Sequence, residues 1–138
     1  MSYSNLQRVQ NTAARITLRM PRTEHTTPLL RMLHLLPIPS RIAYKIDSLC
    51  YTALTTAYSK YLSELLNVYT PARPLRSSLD PNFLNIAAAR TKSYGQRAFS
   101  YQGPINWNRV PGSIRTVEEK DTFKRHLKTA ISLAECQR

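Results

Sequence analysis

The stretch Ser40-Arg41-Ile42-Ala43-Tyr44-Lys45-Ile46-Asp47-Ser48-Leu49-Cys50-Tyr51-Thr52-Ala53-Leu54 decides the fold class. Ile42, Ile46, Leu49, Cys50, Ala53, Leu54 and Ala57 fall on one broad face at the helical period. Ser40 suits the N-cap, where a hydroxyl accepts one of the free N–H groups of a first turn. The pattern predicts a helix over 40–58 that lies at the centre of the core.

Working outward, residues 4–20 also read as an amphipathic helix. Leu6, Val9, Ala13, Ile16 and Met20 recur at steps of three and four, and Arg8, Arg15 and Arg19 gather on the opposite face. The first acid is Glu24, so this polar face carries one sign, which suits either a phosphate backbone or an ordinary wet surface. Pro21 is expected to end the helix. Thr27-Pro28 reads as a cap followed by proline in the first turn, which opens a short helix from Leu29 to about Leu35, closed by Pro37 and Pro39. A further short helix fits Tyr61–Asn67.

The character changes at Tyr69. Thr70-Pro71, Arg73-Pro74 and Asp80-Pro81 push the residues before each proline towards extended backbone. Asn82–Thr91 and Arg97–Gln102 suit two short strands about a turn at Tyr94-Gly95, although Ala87–Ala89 would suit a helix equally well. Thr116 and Glu119 have the spacing of a capping box. Phe123, Leu127, Ala130, Ile131 and Ala134 then form an apolar stripe, flanked by Lys124, Arg125 and Lys128, on a helix from 117 to about 134. These elements make a mainly α chain in a single domain: a helical part over about 4–67, a basic extended or hairpin segment over about 69–115, and a long C-terminal helix.

Charge is the strongest global signal. Among 138 residues, 20 Lys and Arg stand against 8 Asp and Glu, for a net charge of +12. Arginine dominates, and its planar fork matches phosphate oxygens, so the excess favours a polyanionic partner over a merely basic surface. From Arg73 to Arg115 Asp80 is the one acid. Tyr94, Arg97, Phe99, Tyr101, Trp107 and Arg109 interleave aromatic and basic side chains, as a base-stacking surface does. Trp107 is better explained by burial; Tyr94 and Tyr101 suit either role.

Catalytic signals are missing. His25, His34 and His126 lack metal-ligand spacing, as do Cys50 and Cys136, so no metal site is expected. Cys50 reads as buried filler in a reducing compartment. Gly95, Gly103 and Gly112 read as turn residues rather than a phosphate-cradling loop. Asp47, Asp80 and Asp121 are scattered, where two-metal phosphoryl chemistry needs clustered carboxylates. No cofactor is implied. The absence of an apolar signal core or a membrane-length apolar run predicts an intracellular chain, nuclear or cytoplasmic.

Six blocks are similar to landmarks that follow the polymerase domain in LINE-type non-LTR retrotransposon reverse transcriptases. They are Leu6-Gln7-Arg8-Val9-Gln10-Asn11-Thr12-Ala13-Ala14-Arg15, Leu33-His34-Leu35-Leu36-Pro37-Ile38 with Arg41-Ile42 and Tyr44-Lys45-Ile46, Tyr61-Leu62-Ser63-Glu64-Leu65-Leu66, Arg90-Thr91 with Tyr94-Gly95 and Arg97-Ala98-Phe99-Ser100, Trp107-Asn108-Arg109-Val110-Pro111, and Phe123-Lys124-Arg125-His126-Leu127-Lys128-Thr129. They stand in the family's order over about residues 5–130. Ala130-Ile131-Ser132 departs from the common ending, and Met1-Ser2-Tyr3-Ser4 from the usual lead-in. The family's endonuclease, and its polymerase with paired magnesium-binding aspartates, have no counterpart in these residues.

The resemblance implies a post-polymerase, thumb-adjacent region standing as its own chain, with no catalytic residues. It leads to the expectation of a non-catalytic accessory domain that binds RNA or an RNA–DNA hybrid through phosphate contacts. Charge placement makes Arg8, Arg15, Arg19, Arg90, Lys92, Arg97, Lys124 and Lys128 the candidate contacts. The alternative is a structural scaffold or relic that packs on a polymerase domain and does nothing alone. Exposed apolar surface on the helix at 4–20 would then make the isolated chain self-associate.

Overall fold

The computed structural model describes residues 3–56, 59–70 and 82–136. Ala57, the prolines at 71, 74 and 81, and most of the turn-rich stretch around them lie outside the described residues. The chain is mainly helical: α1 is Tyr3–Leu18, α2 Thr26–Met32, α3 Ile38–Thr55, α4 Lys60–Glu64, α5 Phe99–Trp107, α6 Gly112–Arg115 and α7 Lys120–Cys136, with a 3-10 turn at Gly95–Arg97 before α5. It divides into two compact units, Met1–Ala43 and Tyr44–Arg138, and the boundary falls within α3.

In the first unit, α1 turns a polar face inward. Ala14 is buried with Leu29 and Leu30 of α2, and Leu18 and Leu33 pack beside them. On the same face the Gln7 amide donates to Gln10 Oε1 and Asn11 Oδ1 at 3.0 and 2.8 Å. Its Oε1 accepts the Ile38 N–H at 2.8 Å, and Gln10 Nε2 donates to the Leu36 carbonyl at 2.9 Å. The free N–H at the start of α3 is therefore satisfied from α1, two residues ahead of the cap expected at Ser40. Ser40 itself is buried in the first turn.

Helix ends here depend on left-handed residues rather than on proline. The Met20 N–H bonds to Arg15 O and the Arg19 N–H to Ile16 O, with Arg19 at φ 53°. Leu35 to Leu30 and His34 to Arg31 repeat the arrangement, with His34 also at φ 53°. Both are Schellman endings built without glycine, so α1 stops at Leu18, before Pro21, and α2 at Met32. At its other end α2 begins at Thr26, with His25 in the cap position and no side-chain cap bond. Thr27 is therefore inside the helix, and Pro28 is its third residue.

The second unit is organised by three aromatic rings. Tyr51 of α3 stacks on Phe123 of α7 with centroids 4.1 Å apart, and Trp107 of α5 lies 5.9 Å from Phe123. Cys50, Ala53, Leu66, Leu84, Val110, Ile114 and Leu127 complete the buried cluster. The Tyr51 hydroxyl donates to the Val117 carbonyl at 2.9 Å, and Trp107 Nε1 to the Asn82 carbonyl at 2.8 Å, so neither polar tip is stranded.

The expected pair of strands is not formed. Residues 97–102 enter the 3-10 turn and α5, and among the described residues the extended pairing is one antiparallel bridge, Val68 with Leu84. Leu84 is gripped on its other edge by Asn108. That side chain accepts the Leu84 N–H and donates to its carbonyl, both at 2.9 Å. Gly103 is not a turn residue but lies inside α5. A Cβ there would come 3.1 Å from Cys50 Sγ, so the bare backbone is what lets α5 close on α3. The capping box at Thr116 is also absent. The Thr116 hydroxyl donates back to the Gly112 carbonyl at 3.2 Å within α6, and α7 starts from Glu119, whose carbonyl accepts the Phe123 N–H at 2.9 Å.

Among the described residues of this unit, two charged side chains are buried. The Arg115 guanidinium lies 4.2 Å from the centre of the Phe83 ring, a cation–π contact. Asp47, inside α3, has an oxygen with no hydrogen-bond partner among the described residues. Burial pushes its carboxyl from the ordinary 3.8 up to about 7.

Between pH 3.8 and about 7 the folded chain thus holds a proton at Asp47 that the unfolded chain has released, so stability falls as pH rises through that window. Replacing Asp47 by Asn is expected to remove this slope, which amounts to at most about 1.4 kcal/mol per pH unit. Urea midpoints for the two proteins should therefore diverge from pH 4 to 7, the variant being the more stable, and stay parallel above pH 7; a constant difference would refute the assignment. Asn108→Ala strips both edge bonds from buried Leu84 and is expected to lower stability by about 2–3 kcal/mol, read as a drop in the urea midpoint with unchanged m-value.

Candidate nucleic-acid interface

The segment 89–98 is held as a tight turn by its own backbone. Thr91 accepts the Gly95 N–H on its hydroxyl at 2.9 Å and the Gln96 N–H on its carbonyl at 3.1 Å. Arg97 N–H bonds to Tyr94 O and Ala98 N–H to Gly95 O, at 3.1 and 3.2 Å. Gln102, on the first turns of α5, donates to the Gln96 carbonyl at 2.8 Å and ties the turn to that helix. Gly95 sits where a Cβ would approach Ala89 Cβ and Thr91 Oγ1 to 3.3 Å.

This closure leaves the side chains outside. Tyr94 is 85% exposed, which settles its role between core and surface. Arg90, Lys92 and Arg97 are exposed around it, and among the described residues none of the three is held in an ion pair or side-chain hydrogen bond. Three free cations and one free aromatic ring therefore share a turn of eight residues, Arg90 to Arg97. Such a group can neutralise adjacent phosphates and stack one base.

The other expected contacts are distributed differently. Lys124 is half-buried and paired at 3.3 Å with Asp121, one turn earlier on α7, so part of its charge is answered internally. Lys128 is exposed on the next turn. In the first unit Arg8 and Arg19 are exposed, while Arg15 is half-buried and donates from Nη2 to the Glu24 carbonyl at 3.0 Å. Arg15 helps hold the α1–α2 connection. Arg115, counted in the basic stretch, is a core residue over Phe83. Of the aromatic residues, Trp107 is fully buried, Phe99 packs against the core and Tyr101 is half-buried.

Asn108 and Gln7, which position these surfaces, carry no local signal as site residues. Cys50 is fully buried, and burial, reinforced by the charge of Asp47, pushes its thiol up to about 12. Among the described residues no three His, Cys, Asp or Glu side chains converge on a possible metal site, and no helix is long and apolar enough to cross a membrane. Comparison with protein-family models, curated proteins and solved structures returned no match.

Proposed function

We propose that the chain is a non-catalytic, basic nucleic-acid-binding accessory domain, derived from the post-polymerase region of a non-LTR retrotransposon reverse transcriptase. The observation that supports this most is the turn in which exposed Arg90, Lys92 and Arg97 surround exposed Tyr94. The six blocks in the family's order supply the link to reverse transcription, and with it RNA or an RNA–DNA hybrid as ligand.

Binding follows from charge and stacking. The cations displace counterions condensed on the phosphate chain, and the release of those ions supplies most of the affinity. Tyr94 offers a ring face to an unpaired base, a contact that tolerates any sequence. Lys128 adds to the positive field. A second reading, a scaffold that packs on a polymerase domain, is favoured by one specific observation: Leu6, Val9 and Ile16 of α1 point to solvent.

Anisotropy titrations with a fluorescent single-stranded RNA and an RNA–DNA hybrid, repeated from 50 to 300 mM salt, separate the two readings. The chain is expected to bind with a steep salt dependence. Changing Arg90, Lys92 and Arg97 together to Glu should abolish measurable affinity at moderate salt and flatten the slope by about 0.7 for each single-strand phosphate contact removed. Tyr94→Ala should weaken single-stranded binding by about 1–3 kcal/mol and leave the salt slope unchanged. Binding that ignores salt, or a triple variant that binds like the parent, would rule out the nucleic-acid reading.

A further inference from the structure

The sequence pattern of α1 and its placement disagree. Leu6, Val9, Ala13 and Ile16 are its apolar residues at regular spacing, yet the inward face is the polar one of Gln7, Gln10 and Asn11 with Ala14 and Leu18. Leu6 is 50%, Val9 68% and Ile16 72% exposed. Two shallow recesses follow one another along this outward face. One is lined by Arg8, Val9, Thr12, Ala13 and Ile16, and the next continues past Ile16 to Met20.

The spacing identifies the shape of the occupant. Steps of three, four and three from Leu6 to Ile16 are the a/d positions of a heptad. At 100° per residue these four residues span an arc of about 80°, the width of a coiled-coil seam and narrower than the face by which a helix joins a globular core. A recess between side-chain ridges receives the knobs of a second helix. A lipid surface takes a broader apolar face, rich in Leu, Phe and Trp, and α1 offers no such face.

Charge identifies the chemistry. Arg8 lines the first recess and Arg15, Arg19 and Arg22 the second, reaching in from the basic stripe about 120° round the helix from the seam, and no acid stands before Glu24. A second copy of α1 brings no carboxylate to these arginines. A helix with glutamates or aspartates beside its apolar seam pairs them.

We propose that the outward face of α1 docks an acidic amphipathic helix of a partner protein, with Leu6, Val9, Ala13 and Ile16 as the seam and Arg8 and Arg19 as the charge selectors. This goes beyond either reading of the function, since it requires neither RNA binding nor a polymerase as the partner. It also assigns Arg8 and Arg19 to protein recognition rather than to the phosphate surface.

The test uses the full chain and two labelled three-heptad peptides with the same Ile/Leu seam, one with Glu and one with Lys at every e and g position. Anisotropy is expected to show the Glu peptide binding at least tenfold more tightly than the Lys peptide. The double variant Val9→Ser, Ile16→Ser should lose at least tenfold in affinity for the Glu peptide while its circular dichroism and its RNA binding stay as in the parent. Arg8→Gln with Arg19→Gln should erase the preference for Glu over Lys. Equal binding of both peptides, no loss in the serine variant, or a seam-dependent interaction found instead with phosphatidylserine vesicles or with a second copy in sedimentation would overturn the proposal. RNA titrations are read separately, so loss of peptide binding and loss of nucleic-acid binding are distinct results.

Discussion

Tyr51 lies flat on Phe123, and Trp107 leans on the same ring, so residues from three helices, α3, α5 and α7, meet around one buried phenyl group. Each ring buries a large apolar area, and the stacked geometry adds a directional preference worth about 1 kcal/mol per pair. Direction is what a small helical unit lacks when its core is aliphatic alone. The polar tips extend the constraint outward: Tyr51 reaches the backbone leading into α7, and Trp107 reaches Asn82. The bridge at Leu84 and the Asn108 clamp follow directly on Asn82, so the extended strip is anchored to the aromatic centre. The Arg90–Arg97 turn in turn closes on α5 through Gln102.

Polar side chains carry much of the fastening elsewhere. Gln7, Gln10 and Asn108 satisfy backbone groups that no helix or sheet ladder reaches, and each removes an unpaired group that would cost about 1–3 kcal/mol if buried alone. Asp47 does the opposite. Its buried oxygen has no partner among the described residues, and the carboxyl answers by holding its proton to about 7. Near neutral pH the second unit therefore carries a buried destabilising group, which its packing must offset.

Regular apolar periods were the legible part of the fold. They located α1, α3 and α7, and they identified Cys50, Phe123 and Leu127 as core; the size of its indole marked Trp107. They misled where a tertiary contact overrides a local preference. Gly103-Pro104 has the look of a break, yet it lies inside α5, because the missing Cβ admits Cys50 and one lost backbone bond is tolerated in a short packed helix. The endings at Arg19 and His34 use a conformation that favours glycine, so side-chain identity hid them. Which face of α1 turns inward rests on Gln7, Gln10 and Ala14, and a rule that buries the most apolar face selects the wrong one. At the candidate interface, the cluster of cations was legible from charge alone. The diversion of Arg15 to a carbonyl and Arg115 to the core was not, because each depends on a neighbour brought close by folding; the Asp121–Lys124 pair, three residues apart on one helix, was open to the helical spacing rule and went unread.

Net charge and exposure are two sides of one constraint. With 20 basic and 8 acidic residues, even complete internal pairing would leave 12 cations unanswered. Like charges at this density oppose compaction, and the structure accommodates them by spreading Arg8, Arg19, Arg90, Lys92, Arg97 and Lys128 onto surface where none of them forms an ion pair among the described residues. Any polyanion that engages the folded turn removes part of that repulsion and, by mass action, shifts the equilibrium towards the folded state. The proposed binding and the stability of the fold would therefore be coupled through the same guanidinium and ammonium groups. Salt should act on this coupling in two opposed ways: screening lowers the repulsion within the free chain, and it weakens the attraction to the ligand. The first effect saturates once the Debye length, about 10 Å at 0.1 M salt, falls below the spacing of the cations. The second continues, because it arises from counterions returned to the phosphate chain and depends on the logarithm of salt concentration. On the proposed function, the fold should therefore hold across a wide range of ionic strength while the affinity for a polyanion falls steeply.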